Sequence, residues 1–189
     1  MPATGVLAVQ GDFDLHVQAL IRAGESPESI IRVRTPEHLA EVDRLIVPGG
    51  ESTTVGLLLE RYGLGDAIKA RAAQGMPTWG TCMGMILMAT EIEAHSQYTL
   101  GLLDVTVRRN AFGAQVHSFE DRIGVPGLDK PVLGVFIRAP VITRLGPGVT
   151  EFGTYQGAIV GAKKKNLLGT SFHPELTDDI RLHRFFLEL

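Results

Sequence analysis

The chain has 189 residues, 44 % of them hydrophobic, with 18 Lys and Arg against 21 Asp and Glu and a formal net charge of −3. That length can enclose one sizeable core, and the mild acidity offers no basic stripe of the kind that holds DNA or RNA. A single cysteine rules out an internal disulfide and fits a reducing cytoplasm, no run approaches the roughly 20 apolar residues of a membrane span, and MPATGVLAVQGDFD lacks the charged and apolar regions of a signal peptide. In chain order, GVLAVQ (5–10) reads as a buried strand. DLHVQALIRAG (14–24) follows as a helix, with Leu15, Ala19, Leu20 and Ala23 at helical spacing and Gly24 as its stop. SIIRVR (29–34) is a second strand, PEHLAEVD a short helix, and RLIVPGG (44–50) a third strand ending in a Pro-Gly-Gly turn. STTVGLLLERYG starts with Ser and Thr, good helix caps, and predicts a helix. MPTWGT (76–81) is the next strand and MGMILMATEIE (83–93) the next helix. The second half is richer in strands: LLDVTVRRN, PVLGVFIRAP, EFGTYQ, AIVGA and NLLGTSF. The KKK run (163–165) between the last two reads as a solvated hairpin turn, and TDDIRLHRFFLEL closes the chain as a helix capped by Thr177 or Asp178. No repeat or linker divides the pattern. It predicts one α/β domain over residues 1–189, with a mostly parallel central sheet, flanking helices and antiparallel additions.

In open α/β sheets ligands bind beyond the carboxyl ends of the strands. Three predicted strand ends carry chemistry: PGGES (48–52), TCMG (81–84) and FHPE (172–175). Gly80-Thr81-Cys82-Met83-Gly84 has the Gly-Xaa-nucleophile-Xaa-Gly pattern of a nucleophile elbow, with a strand before it and a helix after it. The glycines remove side chains that would collide in the sharp turn, and the helix N-terminus favours a thiolate. A buried structural cysteine is the plainer alternative.

A thiol nucleophile needs a base, and the base needs an orienting group. His16 and His183 fall in amphipathic helices, His38 opens a helix, His95 lies in a polar loop, and His117 lies in a loop or at a strand edge. His173 differs, because it follows an apolar strand and precedes Pro174 and Glu175. If the chain stays extended there, residues 173 and 175 point to the same side, and Glu175 can hold the imidazole toward Cys82. An oxyanion hole could use the N–H of Met83 and the backbone of the Pro48-Gly49-Gly50 turn.

Together these pieces resemble the class I (triad) glutaminase domains of amidotransferases, in which PGG, GxCxG and HPE occur in this order. The narrower resemblance is to the glutaminase subunits of pyridoxal 5′-phosphate synthases. It is carried by GVLAVQGDFDLH (5–16), PGGESTT (48–54), GTCMGMI (80–86), GLLDVTVRRNAFG (101–113), GVFIRAP (134–140) and SFHPEL (171–176), and covers nearly the whole chain. The resemblance implies a class I glutamine amidotransferase-like, flavodoxin-like fold. It implies that Cys82 attacks the side-chain amide of L-glutamine, that His173 shuttles the proton and that Glu175 completes the triad. It also implies that Gly49, Gly50, Glu51, Arg109, Ile137 and Arg138 bind glutamine, and that Gly50 and Met83 form the oxyanion hole. Gln10 falls in a segment the family uses near the site and the partner interface. Glutamine and water would give glutamate and ammonia through a γ-glutamyl thioester, without metal or organic cofactor. The ammonia would pass to a (β/α)₈-barrel synthase subunit in a large cytoplasmic hetero-oligomer that makes pyridoxal 5′-phosphate. The sequence departs from the family at Met83, often alanine there, and at Ala114 and His117, which puts details of docking in doubt. A glutaminase for another amidotransferase is one competing reading, and a cysteine hydrolase or peptidase with the same elbow is another. A silent binding module would not need an intact Cys82, His173 and Glu175, and a redox sensor would want a second, resolving cysteine.

Overall fold

The computed structural model describes residues 2–112 and 118–189, so Gly113, Ala114, Gln115 and His117 lie outside the described residues. The first half builds a parallel sheet by strand–helix alternation. Strands β1 (Thr4–Leu7), β2 (Ile30–Val33), β3 (Arg44–Val47) and β4 (Thr78–Thr81) are connected in turn by α1 (Phe13–Ala23), α2 (Pro36–Ala40) and the helix pair α3 (Ser52–Arg61) and α4 (Leu64–Ala73). The elbow leads into α5 (Met83–Met88), followed by β5 (Ala89–Ile92) and β6 (Leu103–Arg108). The rest comprises β7 (Phe119–Ile123), β8 (Val132–Phe136), β9 (Val141–Leu145), β10 (Thr150–Tyr155), β11 (Ala158–Lys164), β12 (Leu167–Thr170) and α6 (Arg181–Leu187).

Among the described residues the main sheet runs β2-β1-β3-β4-β12-β11-β9-β6-β5, with β10 paired to β11, while β7 and β8 form a separate hairpin. The five strands from β2 to β12 are mutually parallel, the neighbours from β12 to β6 are antiparallel, and β5 returns to parallel pairing on β6. The expected fold class, mostly parallel with antiparallel additions, is the one observed. One pairing decides the site. β12 is the last strand in sequence yet inserts beside β4, with Leu168 opposite Trp79 and Thr170 opposite Thr81. The residues following β12 therefore emerge beside the residue that follows β4.

Both faces of this sheet are apolar, as a parallel sheet covered by helices requires. Trp79, Phe172, Phe186, Leu20 and Val6 pack on the face covered by α1 and α6. Leu45, Val47, Leu59, Ile68 and Leu87 pack on the opposite face, under α3, α4 and α5. Full burial of side chains such as Phe172 and Phe186 contributes ~1.5–3 kcal/mol each.

Several local expectations are corrected. The helix predicted over 83–93 stops at Met88, and Ala89–Ile92 is the strand β5. Residues 83–88 are buried all round, so this stretch carries no helical polar face, and the β-branched Thr90 and Ile92 suit the ladder with β6. Glu51, rather than Ser52 or Thr53, caps α3, because its longer side chain folds back onto the first free N–H groups. Helix α4, which begins after Gly63 at φ 71°, has no counterpart among the elements the sequence predicts. Residue Ile180 occupies the cap position of α6, and the cap expected from Thr177 or Asp178 is replaced by Asp179, whose carboxylate accepts from Arg181 N at 3.2 Å. Lys163 and Lys164 extend β11, so only Lys165 of the KKK run lies in the turn. Leu15 is 39 % exposed, and His16 takes its place on the buried face of α1. Among the described residues no helix is long and apolar enough to cross a membrane.

Candidate active site

Cys82 sits between the end of β4 and the start of α5 with φ 49° and ψ −106°. Such a conformation costs a non-glycine residue about 1–3 kcal/mol and persists only where its surroundings hold it. Here Cys82 N donates to Thr170 O of β12 at 2.7 Å, and Cys82 O accepts from Met85 N at 3.1 Å and from Ile86 N at 3.3 Å. The flanking glycines are required by close approach. A side chain on Gly80 would run into the backbone of Gly84, and one on Gly84 would run into the carbonyl of Val47. The elbow predicted from the pentapeptide is thus present, with the physical reason for each glycine visible.

From β12 the chain passes through Phe172 to His173, whose N–H donates to Val135 O of β8 at 2.8 Å. The expectation of an extended His-Pro-Glu segment is corrected here. Pro174–Leu176 form one turn of 3₁₀ helix, which proline at its first position favours. The two side chains still meet, with His173 Nδ1 at 2.7 Å from Glu175 Oε1. That bond uses Nδ1 and leaves Nε2 for Cys82.

Burial works against charging His173, but hydrogen bonds and charge attraction from Cys82 and Glu175 outweigh it and push its pKa up to about 10. Burial likewise opposes ionising Glu175, yet the neighbouring His16 and the bond from His173 hold its carboxyl below the usual range. The side chains of Cys82, His173 and Glu175 are all buried, so their mutual electrostatics are little screened by water.

The remaining predicted residues come together around this centre. Gly50, Glu51, Met83, Arg109, Ile137 and Arg138 line one cleft with Cys82, joined by Ser52, Ile86 and Asn110. Gly49 lies behind the cleft, where any side chain would strike the His173 imidazole. Met83 opens α5, where backbone N–H groups lack intrahelical partners, so its N–H is available beside the thiol. Gln10 Oε1 accepts from Glu51 N at 3.1 Å and packs on Gly50, tying the loop after β1 to the Gly-Gly turn. The Glu51 carboxylate accepts from Thr54 N at 2.7 Å and Thr53 N at 3.2 Å. Burial is the largest single influence and raises its pKa, but these bonds, together with the Thr53 and Thr54 hydroxyls, outweigh it and bring the pKa down to about 2. Arg109 Nη2 stands 3.6 Å from it, so the cleft presents an anion and a cation side by side. Cys82, Asn110 and Arg138 all have positive φ and all line the cleft, the clustering of strain expected at a functional site. A larger apolar groove of about 400 Å³, between the loop after β1 and α3, has Arg34 as its only charged group among the described residues and holds no comparable chemistry there.

Sequence reasoning missed four contributors. Gln97 Oε1 accepts from Ser52 Oγ at 3.1 Å and Arg109 Nη1 at 3.2 Å, and His95 Nε2 lies 2.9 Å from the same nitrogen, so this loop orients Arg109. His16 and His183, read as ordinary helix residues, are fully buried behind Glu175. Their helical phase was the available signal, since His16 precedes the buried Ala19 and Leu20 by three and four positions.

Residues 6–189 match the family model described as the SNO glutamine amidotransferase family. The chain is 51 % identical over 189 residues to the pyridoxal 5′-phosphate synthase subunit PdxT of Roseiflexus sp. (strain RS-1), covering 98 % of each. It is 52 % identical over 190 residues to the protein of the same name from Herpetosiphon aurantiacus, again covering 98 % of each. A crystal structure of a glutamine amidotransferase superposes with a TM-score of 0.93 at 48 % identity, covering 98 % of this chain and 97 % of that one. With an elbow cysteine, a facing histidine and a matching sequence from end to end, the chain belongs to the SNO glutamine amidotransferase family.

Proposed function

We propose that this chain is the glutaminase subunit of a pyridoxal 5′-phosphate synthase, hydrolysing L-glutamine to L-glutamate and ammonia. The observation that carries the reading is the buried Cys82–His173–Glu175 constellation opening into a cleft that pairs Glu51 with Arg109. Free glutamine carries an α-ammonium and an α-carboxylate, and the two side chains offer the complementary charges. Arg138 adds a second cation to the cleft.

Cys82 Sγ, as the thiolate of a thiolate–imidazolium pair, attacks the amide carbon of the glutamine side chain. The carbonyl oxygen becomes an oxyanion facing the N–H of Met83 and the backbone of Gly50. His173 gives its Nε2 proton to the leaving nitrogen, the C–N bond breaks, and ammonia departs. Water then donates a proton to His173 as its oxygen attacks the γ-glutamyl thioester. The C–S bond breaks, and glutamate leaves with the thiolate restored. Glu175 keeps the imidazole in register through both steps. No metal or organic cofactor takes part.

The ammonia passes to the synthase partner, which the resemblance makes a (β/α)₈ barrel within a large hetero-oligomer. Gln10 and Gly11 pack on the Gly49–Gly50 turn, so a partner touching the loop after β1 could order the oxyanion site. The test is glutamate and ammonia release from glutamine, with and without added synthase subunit. Turnover that rises on adding synthase is the expected result. A folded protein that turns over no glutamine in either condition would overturn the reading.

A further inference from the structure

The triad uses one oxygen of Glu175. The other, Oε2, is buried without an aligned hydrogen-bond donor among the described residues. His16 Nε2 stands 3.3 Å from it and 3.1 Å from Thr81 Oγ1, the hydroxyl next to the elbow cysteine in sequence. On the far side of the ring, His16 Nδ1 lies 3.0 Å from His183 Nε2 of α6. Both imidazoles are 0 % exposed and packed against Trp79.

This packing selects one proton arrangement. Burial keeps both rings neutral, so each carries one proton. If His16 carried its proton on Nδ1, a bare lone pair on Nε2 would face the Glu175 carboxylate. His183 would then hold its proton on Nδ1, which has no partner among the described residues. A buried N–H without an acceptor is costly. With the protons on Nε2 of both rings, His183 donates to His16 Nδ1, and His16 presents N–H to Thr81 and Glu175. Only a lone pair on His183 Nδ1 is then left unused.

We infer that His16 is a positioning residue for the triad: a neutral, Nε2-protonated imidazole, locked by His183, that holds the Glu175 carboxylate charged and aimed at His173. His16 does not touch substrate, and the inference rests on the glutaminase reading above. The ionisable groups facing His16 are Glu175, His173, Asp12 and His183, and His183 in turn feels Arg22 and Asp179. Removing the His16 proton donor makes the Glu175 carboxylate less stable, so the acid limb of the activity profile moves to higher pH.

The experiment has two arms. Nitrogen-15 NMR of histidine-labelled wild-type protein reads where the His16 and His183 protons sit. Glutamine hydrolysis by the assembled complex is then measured across pH for His16→Phe, which keeps the ring volume, and for His16→Gln, which can place an N–H near the Nε2 position. The expected results are Nε2–H on both histidines, and kcat lower by about ten- to a hundredfold in His16→Phe, as for other residues that orient a reacting group, with KM little changed. The acid limb should rise in His16→Phe, and His16→Gln should recover most of both effects. A proton on His16 Nδ1, a charged His16, an unmoved acid limb in His16→Phe, or no recovery in His16→Gln would each overturn the inference. If neither variant folds, the wild-type proton positions decide it. If the wild-type complex releases no ammonia, the glutaminase reading fails, while the NMR arm still tests the His16 arrangement.

Discussion

At the scale of single residues, the proposed mechanism depends on Cys82 and His173 behaving as one unit. Cys82 is the second influence on the His173 pKa after burial, and it acts in the opposite direction. Replacing Cys82 by alanine should therefore bring the His173 pKa down from about 10, as read by NMR titration, and abolish ammonia release while leaving synthase binding intact. The sign for stability follows from the raised value. A charged, partnered His173 stabilises the fold fully below its unfolded pKa of about 6.5. That contribution is lost as pH rises through about 10. In the free enzyme kcat/KM should fall over the same alkaline range, because the proton needed by the leaving ammonia is gone, and the apparent value belongs to the pair. Gly49 offers a second check. Its replacement by alanine places a methyl group against the imidazole, and a displacement of about 1 Å at a reacting group costs about a hundredfold in rate. An alanine variant at Gly49 with wild-type kcat would contradict the packing described.

At the scale of elements, the site is built where strands end. β3 delivers the Gly-Gly turn, β4 the elbow, β6 Arg109, β8 Ile137 and Arg138, and β12 the His-Pro-Glu turn. α6 packs His183 behind His16 and Glu175, and Asp179 anchors its start. The Asp179 carboxylate accepts from Arg181 N and Nε and lies 3.4 Å from Leu133 N of β8, and the Arg181 pairing lowers its pKa. Asp179→Ala should lower stability by about 1 kcal/mol, the usual worth of a helix cap. Calorimetry should register this as a Tm drop of roughly 2–4 °C for a chain of this size. The Asp179 contribution is present above the ordinary carboxylate pKa and is lost as pH falls through the depressed one, so the difference between variant and wild type should shrink in acid.

At the scale of the whole molecule, the Cys82–His173–Glu175 cluster is held by contacts that span the chain. Cys82 bonds to β12, His173 to β8, and Glu175 faces His16 of α1. Such a site should not survive partial unfolding. Trp79 is the single tryptophan, fully buried beside His16 and His183, and its Nε1 donates to Thr170 Oγ1 at 3.1 Å. Its fluorescence and glutamine hydrolysis should therefore be lost at the same urea concentration. Activity lost well before the fluorescence change would point to a site that opens by itself.

The α/β alternation, the elbow at Cys82 and the special place of His173 and Glu175 are legible in the residues alone. Each of these is a local pattern: apolar runs against helical periodicity, glycines flanking a nucleophile, a proline and a carboxylate after a histidine. The family resemblance extended that reading to Arg109, Ile137 and Arg138. Packing between distant segments sets what local patterns do not encode. Residues 83–93 read as one helix because Met, Leu and Ala favour it, but the ladder with β6 turns residues 89–92 of that stretch into strand. The same spacing rule that placed Leu15 in the core leaves it exposed, because α1 is rotated to bring His16 over Glu175. An imidazole in an amphipathic helix looks the same in sequence whether it faces water or a carboxylate. Only the insertion of β12 beside β4, joining segments about 90 residues apart, brings that carboxylate to His16 and makes the difference physical.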